Sequence, residues 1–308
     1  MLSDIRVIVH RAYPDSLSNG ASMVYTTISM LTYAQAILLG LLQGVAELFP
    51  ISSLGHTVLI PSLLRWNIDQ SSADFVAFVV LTHLATALVL LAFFWSDWTK
   101  IVGGIFRSLK RRVISESDTY AKLGWLIVVS TVPVGILGLL FEEKIAKLFA
   151  EPRLVAGALV LNGIVLFVAE QLRTHASSER GDAQIAHLSW GQAVVVGCAQ
   201  CFALIPGFSR TGLTMTGGLL TYLSRENAAR FAFLLATPII FAAAVLKVPD
   251  LVLTGGTALY TSLVGAACAA IAAYCSVTFL TAHFKTKTLT PFAVYCMLAG
   301  GISLLLLL

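Results

Sequence analysis

QGVAELFPISSLGH, residues 43 to 56, interrupts an apolar stretch with a Gln, a Glu, two Ser, a His, a Pro and two Gly. Around it the chain is unusually greasy. Hydrophobic residues make up 57% of the 308 and charged residues 12%, against about 25% charged in a soluble globular domain. The uncharged windows are too long for strands and lack the alternation of a transmembrane barrel, so the chain reads as an all-α polytopic membrane protein. Five cysteines scattered through it suggest no disulfide framework.

Six windows have the length to cross about 30 Å of hydrocarbon: residues 73–95, 121–141, 153–172, 230–247, 257–281 and 290–308. Two further apolar regions, 33–65 and 190–223, are broken near their middles by FPISSLGH and PGFSRTG. Each half is too short to cross alone, which leaves a kinked span or a re-entrant hairpin. Lys100, Arg107, Lys110, Arg111, Arg112 and Lys122 put the 96–122 connection on the cytoplasmic side. A hairpin at 190–223 keeps Arg225, Arg230, Lys285 and Lys287 on that same side, whereas a straight crossing moves them out. The expected fold is therefore an inverted repeat with about six spanning helices and two re-entrant helical hairpins, near 33–65 and 190–223. PISS at 50–53 and PGFS at 206–209 supply a weak echo, a Ser three places after a Pro, 156 residues apart.

Residues 30–308 read as a single membrane domain, and 1–29 as an N-terminal extension that is either loose or lies upstream of a start at Met23 or Met30. In the basic connection, Trp98, Ile101, Val102, Ile105, Phe106 and Leu109 recur at helical spacing and predict an interfacial helix on anionic lipid.

The breaks carry the candidate chemistry. A helix that stops inside a membrane leaves backbone groups needing partners, tolerated where they are buried in protein or line a wet cavity, and a helix start there favours an anion. In GFSRTGLTMTGG, residues 207–218, Gly207 and Gly212 allow close backbone approach, Arg210 offers a fork for phosphate oxygens, and Ser209, Thr211 and Thr214 add hydroxyls. In the first break Gln43 and Glu47 share a helix face, and Ser52, Ser53 and His56 follow Pro50. Ser53 with His56 is a minimal nucleophile and proton-transfer pair if the side chains meet. A purely structural Glu47–Arg210 ion pair is the competing reading, at a cost of roughly 2.5–3.5 kcal/mol for a charge at mid-membrane. His83 lacks polar neighbours beyond Thr82 and Thr86 and reads as helix packing, as do Cys198 and Cys201.

The motifs QGVAE with PISSLGH, and PGFSRTGLT, occur here in one order and at one separation. Over residues 33–308 the chain thereby resembles the bacterial undecaprenyl-diphosphatase, or bacitracin-resistance, family. The resemblance implies an inner-membrane hydrolase that converts undecaprenyl diphosphate to the monophosphate and recycles the lipid carrier for cell-wall synthesis. It also implies a divalent metal, Mg2+ or Ca2+. By position, Glu47 would serve the metal or the acid–base step, and Ser53 would be a nucleophile candidate with His56 its proton partner, the alternative nucleophile being water with His56 or Glu47 as base. Arg210, Ser209 and Thr214 would hold the diphosphate, with Gln43, Ser52, Gly207 and Thr211 beside it. Gln43 stands where many members carry Glu, so Glu47 would act without a second carboxylate on that helix. The rival reading is a polyprenyl-phosphate flippase, since broken helices in inverted repeats are a transporter architecture. No nucleic-acid partner is expected.

Overall fold

The computed structural model describes residues 31–308 apart from Ser71, Glu116 and residues 142–143, 146–147, 149–150, 173–181 and 247–255. The proposed N-terminal extension lies outside the described residues, as does most of the 142–152 connection. The described chain is helical. Its main elements are α1 (Tyr33–Ala46), α2 (Ser53–Leu63), α3 (Ala73–Phe93), α4 (Trp95–Arg111), α5 (Thr119–Leu140), α6 (Pro152–Leu172), α7 (Trp190–Cys201), α8 (Arg210–Leu220), α9 (Arg225–Leu246), α10 (Gly256–His283) and α11 (Thr290–Leu306). Six of them, α3, α5, α6, α9, α10 and α11, are long and apolar enough to cross a membrane.

Apart from α4, the remaining helices of these eleven fall where the sequence breaks. α1 and α2 have 14 and 11 residues, α7 and α8 have 12 and 11, so none reaches across about 30 Å at 1.5 Å per residue. α7 and α8 fold back on each other: a Cβ placed on Gly217 would lie 3.0 Å from Val196 Cα, whereas a continuous helix would hold those residues about 30 Å apart.

The two short pairs repeat one another. Capping boxes open α1 at Thr32 with Gln35 and α7 at Ser189 with Gln192. Ser52 caps α2 by accepting from Gly55 N, and Ser209 caps α8 by accepting from Gly212 N, each at 3.1 Å. Arg65 and Tyr222, just past α2 and α8, both take the left-handed backbone conformation. Every one of these pairs is 157 positions apart. The echo at 156 was one residue out of register, because it matched Ser53 to Ser209 when the capping serine of the first pair is Ser52. In the true register Glu47 corresponds to Leu204, and Ser53 to Arg210.

The halves run in opposite directions. α3 ends where its counterpart α9 begins, with Arg230 Nη2 2.9 Å from Asp97 Oδ1. α6 ends where α11 begins: Glu170 accepts from Leu289 N at 3.0 Å and from Arg225 Nε at 2.9 Å. At the far end Arg153, opening α6, donates to Leu307 O at 2.7 Å. These contacts gather the basic connections at one end of the molecule, as the charge pattern requires. The halves also exchange partners. α1 lies on α10, where a Cβ on Gly40 would meet Gly265 O at 2.2 Å, and α7 lies on α5, where a Cβ on Gly197 would meet Ser130 O at 2.6 Å. Gly40 and Gly197 are again counterparts, and only a residue without a side chain lets two backbones approach so closely.

α4 confirms a helix in the basic connection. Ile101 and Ser108 are buried against the protein while Val102, Phe106 and Leu109 are exposed beside Lys100 and Lys110, so the apolar positions of the predicted stripe divide between packing inward and facing out.

Candidate active site

The tips of the two short pairs meet. Glu47, the residue that ends α1, is 7% exposed, and its Oε1 accepts from Arg210 Nη2, the first residue of α8. The Oε2 atom accepts from Gln43 Nε2 at 3.1 Å and from Ser53 Oγ at 2.5 Å. The Gln43–Glu47 contact follows directly from the helical spacing. Thr211 Oγ1 completes the clasp by donating to Glu47 O at 2.9 Å. The junction has a third party: Asn162 on α6, fully buried, donates from Nδ2 to Pro50 O at 3.0 Å and accepts Ser209 N on Oδ1 at 2.9 Å. One amide thus holds the first tip by a carbonyl and the second by an N–H.

Beside the ion pair lies a cavity of about 410 Å3. Glu47, Ser52, Ser53, His83, Ser209 and Arg210 form its polar wall, and the apolar remainder includes Val79, Val80, Val134, Leu204, Ile239 and Ala243. Arg210 Nη1 is buried with no hydrogen-bond partner among the described residues. The N-terminal ends of α2 and α8 both start at this wall, each bringing N–H groups without an intrahelical acceptor. Ser52 is held at φ 70, a costly backbone angle for a residue with a side chain.

Several expected arrangements differ. Ser53 and His56 do not meet. Ser53 turns back to Glu47, while His56 contacts Ser52 O through Nδ1 at 2.7 Å and Tyr295 Oη through Nε2 at 2.8 Å, outside the cavity wall. The spacing misleads because Ser53 is the first residue of α2 and its hydroxyl points past the helix start. His83, read from sequence as packing, is in the wall with Nε2 3.3 Å from Glu47 Oε2. Gly207 and Gly212 serve approach between helices: a Cβ on Gly207, at φ 106, would strike Val155 O on α6 at 2.4 Å, and one on Gly212 would crowd Leu166 and Pro50. Thr214 Oγ1 donates to Arg210 O at 2.8 Å. Asn162 gave no sequence signal, since its partners lie 112 and 47 residues away.

For a cation, the described residues contain no group of three or more His, Cys, Asp or Glu. The nearest candidate oxygens are those of Glu47 in the cavity wall and, one helical turn back and outside that wall, Gln43 Oε1, which is buried without a hydrogen-bond partner among the described residues. One carboxylate and one amide oxygen fit a hard divalent ion that draws its other ligands from water and phosphate.

The family model for the bacitracin resistance protein BacA matches residues 36–302. The chain belongs to the BacA family. Among its relatives is an undecaprenyl-diphosphatase of Mycolicibacterium paratuberculosis, 44% identical over 297 residues, covering 89% of this chain and 97% of the relative. An undecaprenyl-diphosphatase 2 of Chromobacterium violaceum is 42% identical over 278 residues, covering 88% and 97%. One from Frankia alni is 40% identical over 334 residues, with the same coverage of 88% and 97%. The match to the BacA family thus takes in both broken pairs and the cavity between them.

Proposed function

We propose that this BacA-family protein hydrolyses undecaprenyl diphosphate to the monophosphate and inorganic phosphate, recycling the lipid carrier for cell-wall synthesis and conferring bacitracin resistance. In this reading it lies in the bacterial inner membrane, with the two short pairs entering from opposite faces as re-entrant hairpins. The observation that carries the reading is the Glu47–Arg210 contact across the tips, on the wall of a cavity otherwise lined by apolar side chains. Such a cavity suits a ligand with a charged head and a hydrocarbon tail.

Arg210 has one guanidinium nitrogen on Glu47 and one, Nη1, without a partner. A diphosphate entering the cavity meets Arg210 in the wall, and binding through the whole fork, with Nη1 as the donor that has no other partner, draws the guanidinium away from Glu47. Ser53, hydrogen-bonded to Glu47 Oε2, attacks the terminal phosphorus as its proton passes to that carboxylate. The bond to the bridging oxygen breaks and the lipid monophosphate leaves. Water then cleaves the phosphoserine, releasing phosphate and restoring the hydroxyl. Arg210 and the N-terminal amides of α2 and α8 offset the charge on the phosphoryl oxygens, usually the largest catalytic term. In this scheme Ser209, Thr211 and Thr214 shape the diphosphate-binding tip, and Ser52 and Gly207 fix the loops that present it. A Mg2+ or Ca2+ ion held by Glu47 and Gln43 would add Lewis-acid stabilisation of the same oxygens.

Purified protein in detergent tests this, because no sidedness remains to transport across. Phosphate release from a polyprenyl diphosphate is expected, and Glu47→Ala and Arg210→Ala each nearly abolish it while the protein still folds. Release unchanged in either variant overturns the assignment, and none from wild type leaves a flippase as the better reading.

A further inference from the structure

We propose that His83 is a positioning residue of this reaction site, holding the Glu47 carboxylate in place when Arg210 turns to the diphosphate; the inference rests on the phosphatase reading above.

Three observations converge on it. The first is geometric. Nδ1 of His83 lies 2.7 Å from Val79 O, one turn back along α3, which fixes the ring and aims Nε2 at Glu47 Oε2, 3.3 Å away. The two ring nitrogens thus face two oxygens, Nδ1 the Val79 carbonyl and Nε2 the Glu47 carboxylate.

The second is location. His83 is the imidazole of the cavity wall; His56, the histidine of the PISSLGH motif, is absent from that wall and engaged by Ser52 and Tyr295. The His83 side chain is 16% exposed, in keeping with a group that faces a cavity.

The third comes from the repeat. Ser72 accepts from Phe75 N at the start of α3, and Ser224 accepts from Asn227 N at the start of α9, both three residues on. In that register His83 corresponds to Leu235, which is fully buried. The same helix position in the other half therefore serves packing with an apolar side chain. A polar ring at position 83 is what the acidic tip adds.

The physical need is plain. Oε1 of Glu47 is held by Arg210 and Oε2 by Gln43, Ser53 and His83. Once Arg210 moves to phosphate and Ser53 gives up its proton, Gln43 and His83 are the remaining side chains that keep the carboxylate facing the reacting hydroxyl. Gln43 reaches it from the same helix; His83 reaches it from α3 and sets the direction.

Steady-state phosphate release from a polyprenyl diphosphate by the full-length protein in detergent tests the role with three variants. His83→Gln keeps a side-chain donor and nearly the reach of Nε2, His83→Asn keeps the polarity but is one methylene shorter, and His83→Leu removes the donor. Expected are a kcat within about tenfold of wild type for Gln, and a loss of about a hundredfold for Asn and Leu with KM within about threefold. A merely structural residue would not separate Gln from Asn or spare KM. If His83→Leu does not elute as a folded protein, the Gln and Asn pair decides alone. Equal kcat for Gln and Asn, or a folded Leu variant within about threefold of wild type, overturns the proposal. Wild-type protein that releases no phosphate sinks the phosphatase reading instead, and this role with it.

Discussion

The α1–α2 and α7–α8 pairs share a frame and differ in charge. Capping boxes, capping serines, the glycines at 40 and 197 and the left-handed residues that follow all repeat at 157 positions. At the tips the repetition stops. The first pair has Glu47 where the second has Leu204, and the second has Arg210 where the first has Ser53. Even the shared glutamines diverge: Gln43 donates to Glu47 Oε2 at 3.1 Å, whereas Gln200 donates to Ser130 O at 3.2 Å. A duplicated scaffold supplies two helix starts facing one cavity, and a few substitutions that break the symmetry supply the anion, the cation and the hydroxyl.

Making the tips alike breaks that comparison. Replacing Glu47 by its counterpart in Glu47→Leu should lower phosphate release about a thousandfold or more. It also leaves Arg210 in place without its anion, which costs about 3–5 kcal/mol when such a partner is buried and is visible in thermal unfolding.

A smaller effect is expected at the clamp between the tips. Asn162→Leu removes a partner from both Pro50 O and Ser209 N, costing about 1–3 kcal/mol for each buried group left unsatisfied. The tips then shift against each other, and kcat falls about ten- to a hundredfold, since displacement by about an ångström is enough.

The glutamines sharpen the contrast. Gln43→Leu should reduce kcat about tenfold, while Gln200→Leu leaves it within about twofold and lowers the unfolding temperature instead.

The smallest expected effect lies away from the tips. Asp118 caps α5 through Ala121 N and accepts both Nε and Nη2 of Arg107. The Arg107 hydrogen bonds, with the cap, hold its carboxyl below the usual aspartate range. With the folded value depressed, the contribution is complete above the unfolded aspartate pKa and is lost as pH falls through the folded one. Asp118→Asn should therefore blunt the acid destabilisation of the wild type by a small margin, because the pair is solvated and screened by salt.

Much of this was legible in the sequence. The six spans and two breaks follow from hydropathy and length, and the Gln43–Glu47 contact from helical spacing. The charge pattern assigned ends that the Asp97–Arg230 and Glu170–Arg225 pairs bring together. What could not be read shares a cause: the partner is remote in sequence. His83 sits on an apolar helix with no local pattern to mark it, and Asn162 bonds to residues on two other segments. The 156-residue echo failed because Ser52 and Ser53 are adjacent and only the capping bond to Gly55 tells which one starts the helix.

The central claim is that Glu47 and Arg210 act as one unit on one diphosphate, and a double-mutant cycle on kcat/KM for phosphate release tests it directly. With Glu47→Gln and Arg210→Ala measured singly and together, the account predicts that the double variant is no more than about threefold below the slower single. Losses that multiply would contradict it, as would either single variant keeping more than about a tenth of wild-type turnover.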